Sequence, residues 1–184
     1  MSRRKTPPHA RLIFSVIYRD DEDFENTVRA IHGRIGRIEY AGGPFPFDRS
    51  DYYEREMGAP LFRRFLLAAD DVAREDLVQA KLAAESIESE FSVDGKRNVN
   101  IDPGLLTDEN VVLATGKNYS HRIYLRDGIF ADLTLVFEKG EYRPLPWTYP
   151  DVASPEIRTF LTMLRTLCRA GKKRQQKGES CGCG

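Results

Sequence analysis

Residues Asn110–Asp132 read NVVLATGKNYSHRIYLRDGIFAD. They hold a short apolar run, a charged loop and the first part of a hairpin. Arg122–Leu125 and Ile129–Phe137 are rich in Ile, Leu, Tyr, Phe and Val, so both predict strands. Between them lies Arg126-Asp127-Gly128. A two-residue Asp-Gly loop would pair Ile123 with Asp132 and mix polar with apolar on both faces. A three-residue loop, a type I turn with Gly128 in the left-handed region, would pair Leu125 with Ile129 and Arg122 with Asp132. Ile123, Leu125, Ile129, Ala131 and Leu133 then share one face, and Arg122, Tyr124, Phe130, Asp132 and Thr134 the other. A one-residue slip flips every side chain, so the register with one clean apolar face is expected.

The remainder of the chain supplies the partners for this hairpin. Leu12–Tyr18 is apolar on both faces except at Ser15, the pattern of a central strand. Asp20 or Asp21 can cap a helix running to about Gly33, with Phe24, Val28, Ile31 and Ile35 at helical spacing. Gly36–Ala41 predicts a second strand, broken by Gly42-Gly43-Pro44. Leu61–Ala68 predicts a third. Asp71–Phe91 predicts a long helix with Leu77, Ala80, Ala84, Ile87 and Phe91 on its apolar stripe. Asn98–Asp102 predicts a strand with Asn98, Asn100 and Asp102 on one face, followed by a turn at Pro103-Gly104. Tyr142–Leu145 suggests an edge strand. Ser154-Pro155-Glu156 starts a last helix, whose buried stripe is Ile157, Phe160, Leu161, Leu164 and Cys168.

Two strand–helix–strand passages through residue 102 predict an α+β fold: a ferredoxin-like split βαβ core extended by an antiparallel β-meander, with a C-terminal helix. Helices are expected on one sheet face and exposed polar residues on the other. The domain is expected over residues 11–170, between an N-terminal arm (1–10) and a disordered basic tail (171–184).

Composition narrows the classes of function. The 184 residues are 41% hydrophobic, and 28 Lys plus Arg balance 28 Asp plus Glu. Zero net charge gives no bulk electrostatic case for nucleic acid or membrane. No apolar run approaches a membrane span, and Leu12–Tyr18 leads into Arg19-Asp20-Asp21 without a cleavage site, so it is not a signal peptide. Three cysteines, two of them at Cys181 and Cys183, suggest no disulfide framework. The cytoplasm is the expected compartment. Nothing in the sequence sets the oligomeric state or names a cofactor.

Five stretches together resemble one family: Asp51–Gly58 (DYYEREMG), Asn100–Gly104 (NIDPG), Leu113–Leu125 (LATGKNYSHRIYL), Gly128–Leu135 (GIFADLTL) and Trp147–Asp151 (WTYPD). From about Leu12 to Leu167 the chain is similar to the bacterial family known as domain of unknown function 4416. That resemblance implies a soluble bacterial protein and transfers no reaction.

Candidate chemistry therefore rests on residue types. Ala114-Thr115-Gly116-Lys117-Asn118 looks like a phosphate loop, but a Walker motif needs Gly where this chain has Val111, and Ser or Thr where it has Asn118. A Walker-type NTPase is excluded, while Lys117 and nearby amides can still meet a phosphate. His121 reads as a partly buried, hydrogen-bonded residue on the side of Ile123. With only His9, His32 and His121 in the chain, no multi-His metal site is expected. Asp51, Glu54 and Glu56 form an acidic cluster around Tyr52-Tyr53, suited to a cation or an acid–base pair if helical.

The sharpest expectation joins two strand faces. Asn98, Asn100 and Asp102 would merge with Arg122, Tyr124, Asp132 and Thr134 into one polar floor, with Arg122 receiving a carboxylate or phosphate bidentately and Asp102 ligating a cation or acting as a base. The expected function is binding of an anionic small ligand, a nucleotide or phosphorylated metabolite. The alternatives are an RNA-binding sheet using Tyr124 and Phe130, and a protein-interaction domain anchored by exposed aromatics such as Tyr52, Tyr53, Trp147 and Tyr149.

Overall fold

The strand that organises the molecule is β1 (Ala10–Tyr18), paired along its length on both sides. The computed structural model describes residues 3–48 and 51–179, with side chains of 51–52 and 173–179 left aside. After β1 come α1 (Asp21–Arg34), β2 (Ile38–Pro46), α2 (Asp51–Met57) and β3 (Phe62–Val72). A 3-10 turn at Arg74–Asp76 leads into α3 (Leu77–Glu90). Then follow β4 (Val99–Leu106), β5 (Asn110–Thr115), β6 (Arg122–Arg126), β7 (Ile129–Glu138), β8 (Glu141–Pro144) and α4 (Pro155–Glu179). The fold is α+β: one antiparallel sheet of eight strands in the order β2-β3-β1-β4-β5-β7-β6, with β8 also on β7, and a C-terminal helix.

Strand periodicity sorts the core. Leu12, Phe14, Val16 and Tyr18 of β1 point to one face and pack with Phe24 and Ile31 of α1 and Leu77, Ala80, Ala84 and Ile87 of α3. Ile13 points to the other face and packs with Ile157, Leu161 and Leu164 of α4. Helices thus cover both faces, where the sequence places them on one. The apolar stripe of α4 needs a sheet face of its own, and the face bearing α1 and α3 is already full.

Three chain breakers behave differently from expectation. β2 continues through Gly42-Gly43-Pro44, because Gly42 lies under the Phe160 ring: a Cβ there would stand 2.1 Å from a ring carbon. β4 continues through Pro103-Gly104, because β5 crosses so close that a Cβ on Gly104 would stand 2.6 Å from the Val112 carbonyl oxygen. The chain turns later, where Thr107 Oγ1 accepts from Asn110 N at 2.9 Å and Thr107 N donates to Asn110 O at 3.0 Å. The helix α4 runs past Gly171, since one helical glycine costs only about 1 kcal/mol among good helix formers. Helical backbone thus extends through residue 179, into the segment expected as tail. Cys181 and Cys183 lie outside the described residues.

The hairpin combines both registers. Asp127 and Gly128 have φ of 54° and 78°, a type I′ Asp-Gly turn that pairs Arg126 with Ile129. A register shift between Tyr124 and Arg126 then restores the expected pair Arg122↔Asp132. The twist of a I′ turn suits the strands, and the bulge absorbs the extra residue. The expected division of faces holds only in part: Ile129 is buried in the core as expected, but Ile123 is 69% exposed, and Asp132 and Thr134 of the expected polar face are buried.

Candidate functional site

The site exists because β4 is paired differently on its two sides. Towards β1 it makes eight successive pairs, from Arg11↔Leu106 to Tyr18↔Val99. Towards β5 it makes three, Gly104↔Leu113, Leu105↔Val112 and Leu106↔Val111. Pairing stops beside Pro103, which has no amide hydrogen for a ladder. Beyond it, β5 and the loop to β6 diverge from β4, and a cleft of about 300 Å³ opens between them.

One wall is β4 and α3, with Asn100, Asp102, Lys81, Glu85, Glu88 and Arg97; the other carries Thr115, Gly116, Lys117, Arg122, Asp132 and Thr134, with Tyr53 and Tyr149 at the ends. A second register shift, between Val111 and Val112, leaves Thr134 unpaired against β5. The bulge brings Asp132 and Thr134 to the cleft side and returns Leu135 to the core.

On the β4 wall, Lys81 Nζ donates to Ile101 O at 3.0 Å and to Asp102 Oδ1 at 3.1 Å. Asn100 Nδ2 donates to Asp102 Oδ2 at 2.8 Å. Glu88 accepts from the Ile101 amide, and Arg97 grips Glu56 with two bonds of 2.7 and 2.8 Å while giving a third to Asn100 Oδ1 at 2.9 Å. On the opposite wall, Arg122 Nε donates to Asp132 Oδ2 at 2.9 Å and Nη1 to Lys117 O at 2.9 Å. His121 Nε2 lies 3.3 Å from the same Asp132 oxygen, its ring stacked on Trp147 at 4.9 Å.

Burial and charge set the ionisation. Burial pushes the Asp102 carboxyl up, but Lys81, Asn100 and Arg63 outweigh it and hold it below the usual range. Burial pulls Lys81 down, and Asp102, Glu88 and Glu85 more than restore it, so its pKa is raised. Glu88 goes the other way: burial dominates over Lys81 and its carboxyl pKa is raised. Burial also raises the Tyr53 hydroxyl. The guanidinium of Arg122 is disfavoured by burial, yet Asp132 and Tyr149 keep its pKa above the ordinary value.

Of the residues expected from sequence, Asn100, Asp102, Lys117, Arg122 and Asp132 line this one cleft. His121 sits behind Asp132 on the polar side rather than with Ile123. Tyr124 is 59% exposed on β6, away from the cleft lining, and meets Phe130 edge to face at 5.3 Å. The two strand faces therefore do not merge as a flat floor; they face each other across an opened ladder, which leaves Tyr124 outside. The acidic cluster also separates. Glu56 is held by Arg97, Glu54 shows no side-chain ion pair among the described residues, and the Asp51 side chain lies outside them. Among the described residues no three His, Cys, Asp or Glu side chains could hold a metal ion together.

Sequence reasoning missed Lys81, Glu85, Glu88 and Arg97. The first three had a signal: spacings of four and three along α3 make a charged row beside the apolar stripe. Arg97 sits in a connection and had none, while Tyr149, expected only as an exposed aromatic anchor, lines the cleft.

A family model described as domain of unknown function (DUF4416) matches residues 8–167. No match is found among curated proteins or among solved structures. The chain belongs to the DUF4416 family.

Proposed function

We propose that this DUF4416 protein binds a small anionic ligand, a nucleotide or a phosphorylated metabolite, in the cleft between β4 and β5. One observation carries the reading: the sheet opens where four cations, Lys81, Arg97, Lys117 and Arg122, surround a single hollow of about 300 Å³. That volume is at the lower end for a small-molecule site. Asp132 and the Lys117 carbonyl hold the Arg122 guanidinium in place, so its planar fork is pre-set for a phosphate or carboxylate. Tyr149 lines the same cleft and can offer its hydroxyl to an anion there. Across the cleft, Asp102, Asn100 and Glu85 suit the hydroxyl or amino donors of the same ligand. Four carboxylates balance the four cations, which favours a ligand carrying both an anionic group and hydrogen-bond donors.

We also read β1 to β4 as a ferredoxin-like split βαβ core. The order β2-β3-β1-β4, with α1 and α3 on one face, supports this.

The test is a thermal-shift screen against nucleoside phosphates and sugar phosphates. A ligand at a hundredfold over its Kd adds about 2.7 kcal/mol, a rise of several degrees at this size. The shift should vanish in Arg122→Ala and persist in Arg126→Ala, whose side chain is exposed on the hairpin. A flat screen, or a shift insensitive to Arg122, would defeat the reading.

A further inference from the structure

The two edges of the sheet are finished differently. β2 ends it on one side and β6 on the other. β2 is blunted against pairing: Pro44 and Pro46 remove ladder donors, two register shifts bend it against β3, and Tyr40 is its one exposed large apolar residue. β6 reads Arg122-Ile123-Tyr124-Leu125-Arg126, with neither proline nor lysine. Its guards are a short length and one bulge beside the turn. Ile123, Tyr124 and Leu125 are 69%, 59% and 40% exposed, and successive strand residues point to opposite faces. Among the described residues no strand pairs with the outer side of β6.

The apolar surface continues beyond the strand. Tyr119, in the loop before β6, meets the His121 ring edge on at 5.3 Å, and His121 stacks on Trp147. Trp147 is fixed beside β7, its Nε1 donating to Leu133 O at 2.8 Å. Tyr119, Ile123, Tyr124, Leu125 and Trp147 are half of the ten large apolar side chains exposed among the described residues, gathered at one end of the sheet. Exposed apolar residues that cluster in this way mark an interaction surface, whereas scattered ones do not. None of the five lines the cleft.

We propose that β6 pairs antiparallel with β6 of a second copy, about a two-fold axis at Tyr124, so that two sheets join edge to edge in a dimer. Self-complementarity selects a second copy as the partner. The strand reads almost the same in both directions, and an antiparallel two-fold pairing matches each residue with its mirror position. Tyr124 meets its own copy and Ile123 meets Leu125, so apolar side chains face apolar ones across the joint. The like-charge match, Arg122 with Arg126, is neutralised within each chain: Arg122 Nε holds Asp132 at 2.9 Å and Arg126 Nη1 holds Asp127 at 2.8 Å. The area also suffices. The five exposed residues present on the order of 500 Å² in each copy, and two copies hide roughly 1,000 Å², the lower limit for a specific interface. The dimer is therefore weak and reversible.

The experiment is sedimentation velocity of the full chain from about 1 to about 200 μM, the span over which an interface of this size associates. The mean mass should climb from 21.0 kDa towards twice that value. Ile123→Lys places an ammonium group at the joint and should stay monomeric throughout. Its melting temperature at the lowest concentration should equal the parent's, since Ile123 is exposed. Tyr124→Lys, its neighbour on the other face, should behave alike. Leu167→Lys, at an exposed apolar residue of α4, should dimerise as the parent does. A parent that is still monomeric at the highest concentration overturns the proposal. So does a dimer that survives Ile123→Lys and Tyr124→Lys, or one that Leu167→Lys abolishes, which would move the contact to α4. A mass that grows past the dimer overturns it too, because a two-fold pairing uses both edges and closes.

Discussion

The two sides of β4 are one strand under two regimes. Towards β1 every residue from Val99 to Leu106 has a partner, and alternate side chains enter a dry core. Towards β5 the ladder holds only over Gly104–Leu106, and the unpaired end is faced by charged side chains. Where strands stay paired, apolar side chains fill the space between sheet and helix. Where they part, the backbone groups and the ions they attract must satisfy one another. Lys81 does both tasks at once, serving the Ile101 carbonyl and the Asp102 carboxylate. Function is thus expected on the loose side and stability on the tight side.

The largest effect should come from Lys81→Met, which removes the ion that neutralises the cleft floor. Breaking a buried pair costs about 3–5 kcal/mol, read as a fall in the urea midpoint. A loss under 1 kcal/mol would mean that water already reaches Asp102 and Glu88. On the tight side, Ile13→Ala should cost about 2–5 kcal/mol, because Ile13 is fully buried opposite Gly104. Gly104→Val tests the junction between the regimes. Its side chain would strike the Val112 carbonyl and Leu113, so a loss of about 1–3 kcal/mol is expected; an unchanged melting temperature would show that β5 yields freely.

Acid titration should separate the two carboxylates of the floor. The folded pKa of Asp102 is depressed, so its contribution is present above the unfolded value of about 3.9 and is lost as pH falls through the lower folded value. Glu88 is raised, so its contribution is present below about 4.3 and is lost as pH rises through its folded value. Asp102→Asn should flatten the stability curve below pH 4, and Glu88→Gln should flatten it above. The same slope in both variants would refute this assignment. The smallest effect belongs to the exposed edge: Ile123→Ala, at 69% exposure, should stay within about 0.5 kcal/mol of the parent.

What the sequence determined by itself was local. The Asp20 cap, the α3 stripe, the central character of β1 and the Arg122↔Asp132 pair follow from propensity and periodicity, which act within a few residues. It also named five residues of the cleft without the shape that joins them, because Asn100, Asp102, Lys117, Arg122 and Asp132 each had a polar pattern of their own. Tertiary structure decided the rest. Phe160 packs on Gly42 and β5 crosses at Gly104, so two glycines that read as breakers are strand residues. Bulges at Leu125 and Thr134 left Ile129 in the core but exposed Ile123 and buried Asp132 and Thr134, against the expected faces of the hairpin. Lys81 and Arg97 reached the site from α3 and from the connection before β4, at separations no local pattern encodes. Close approach between distant segments is a property of packing, and only the folded chain shows where a sheet closes and where it parts.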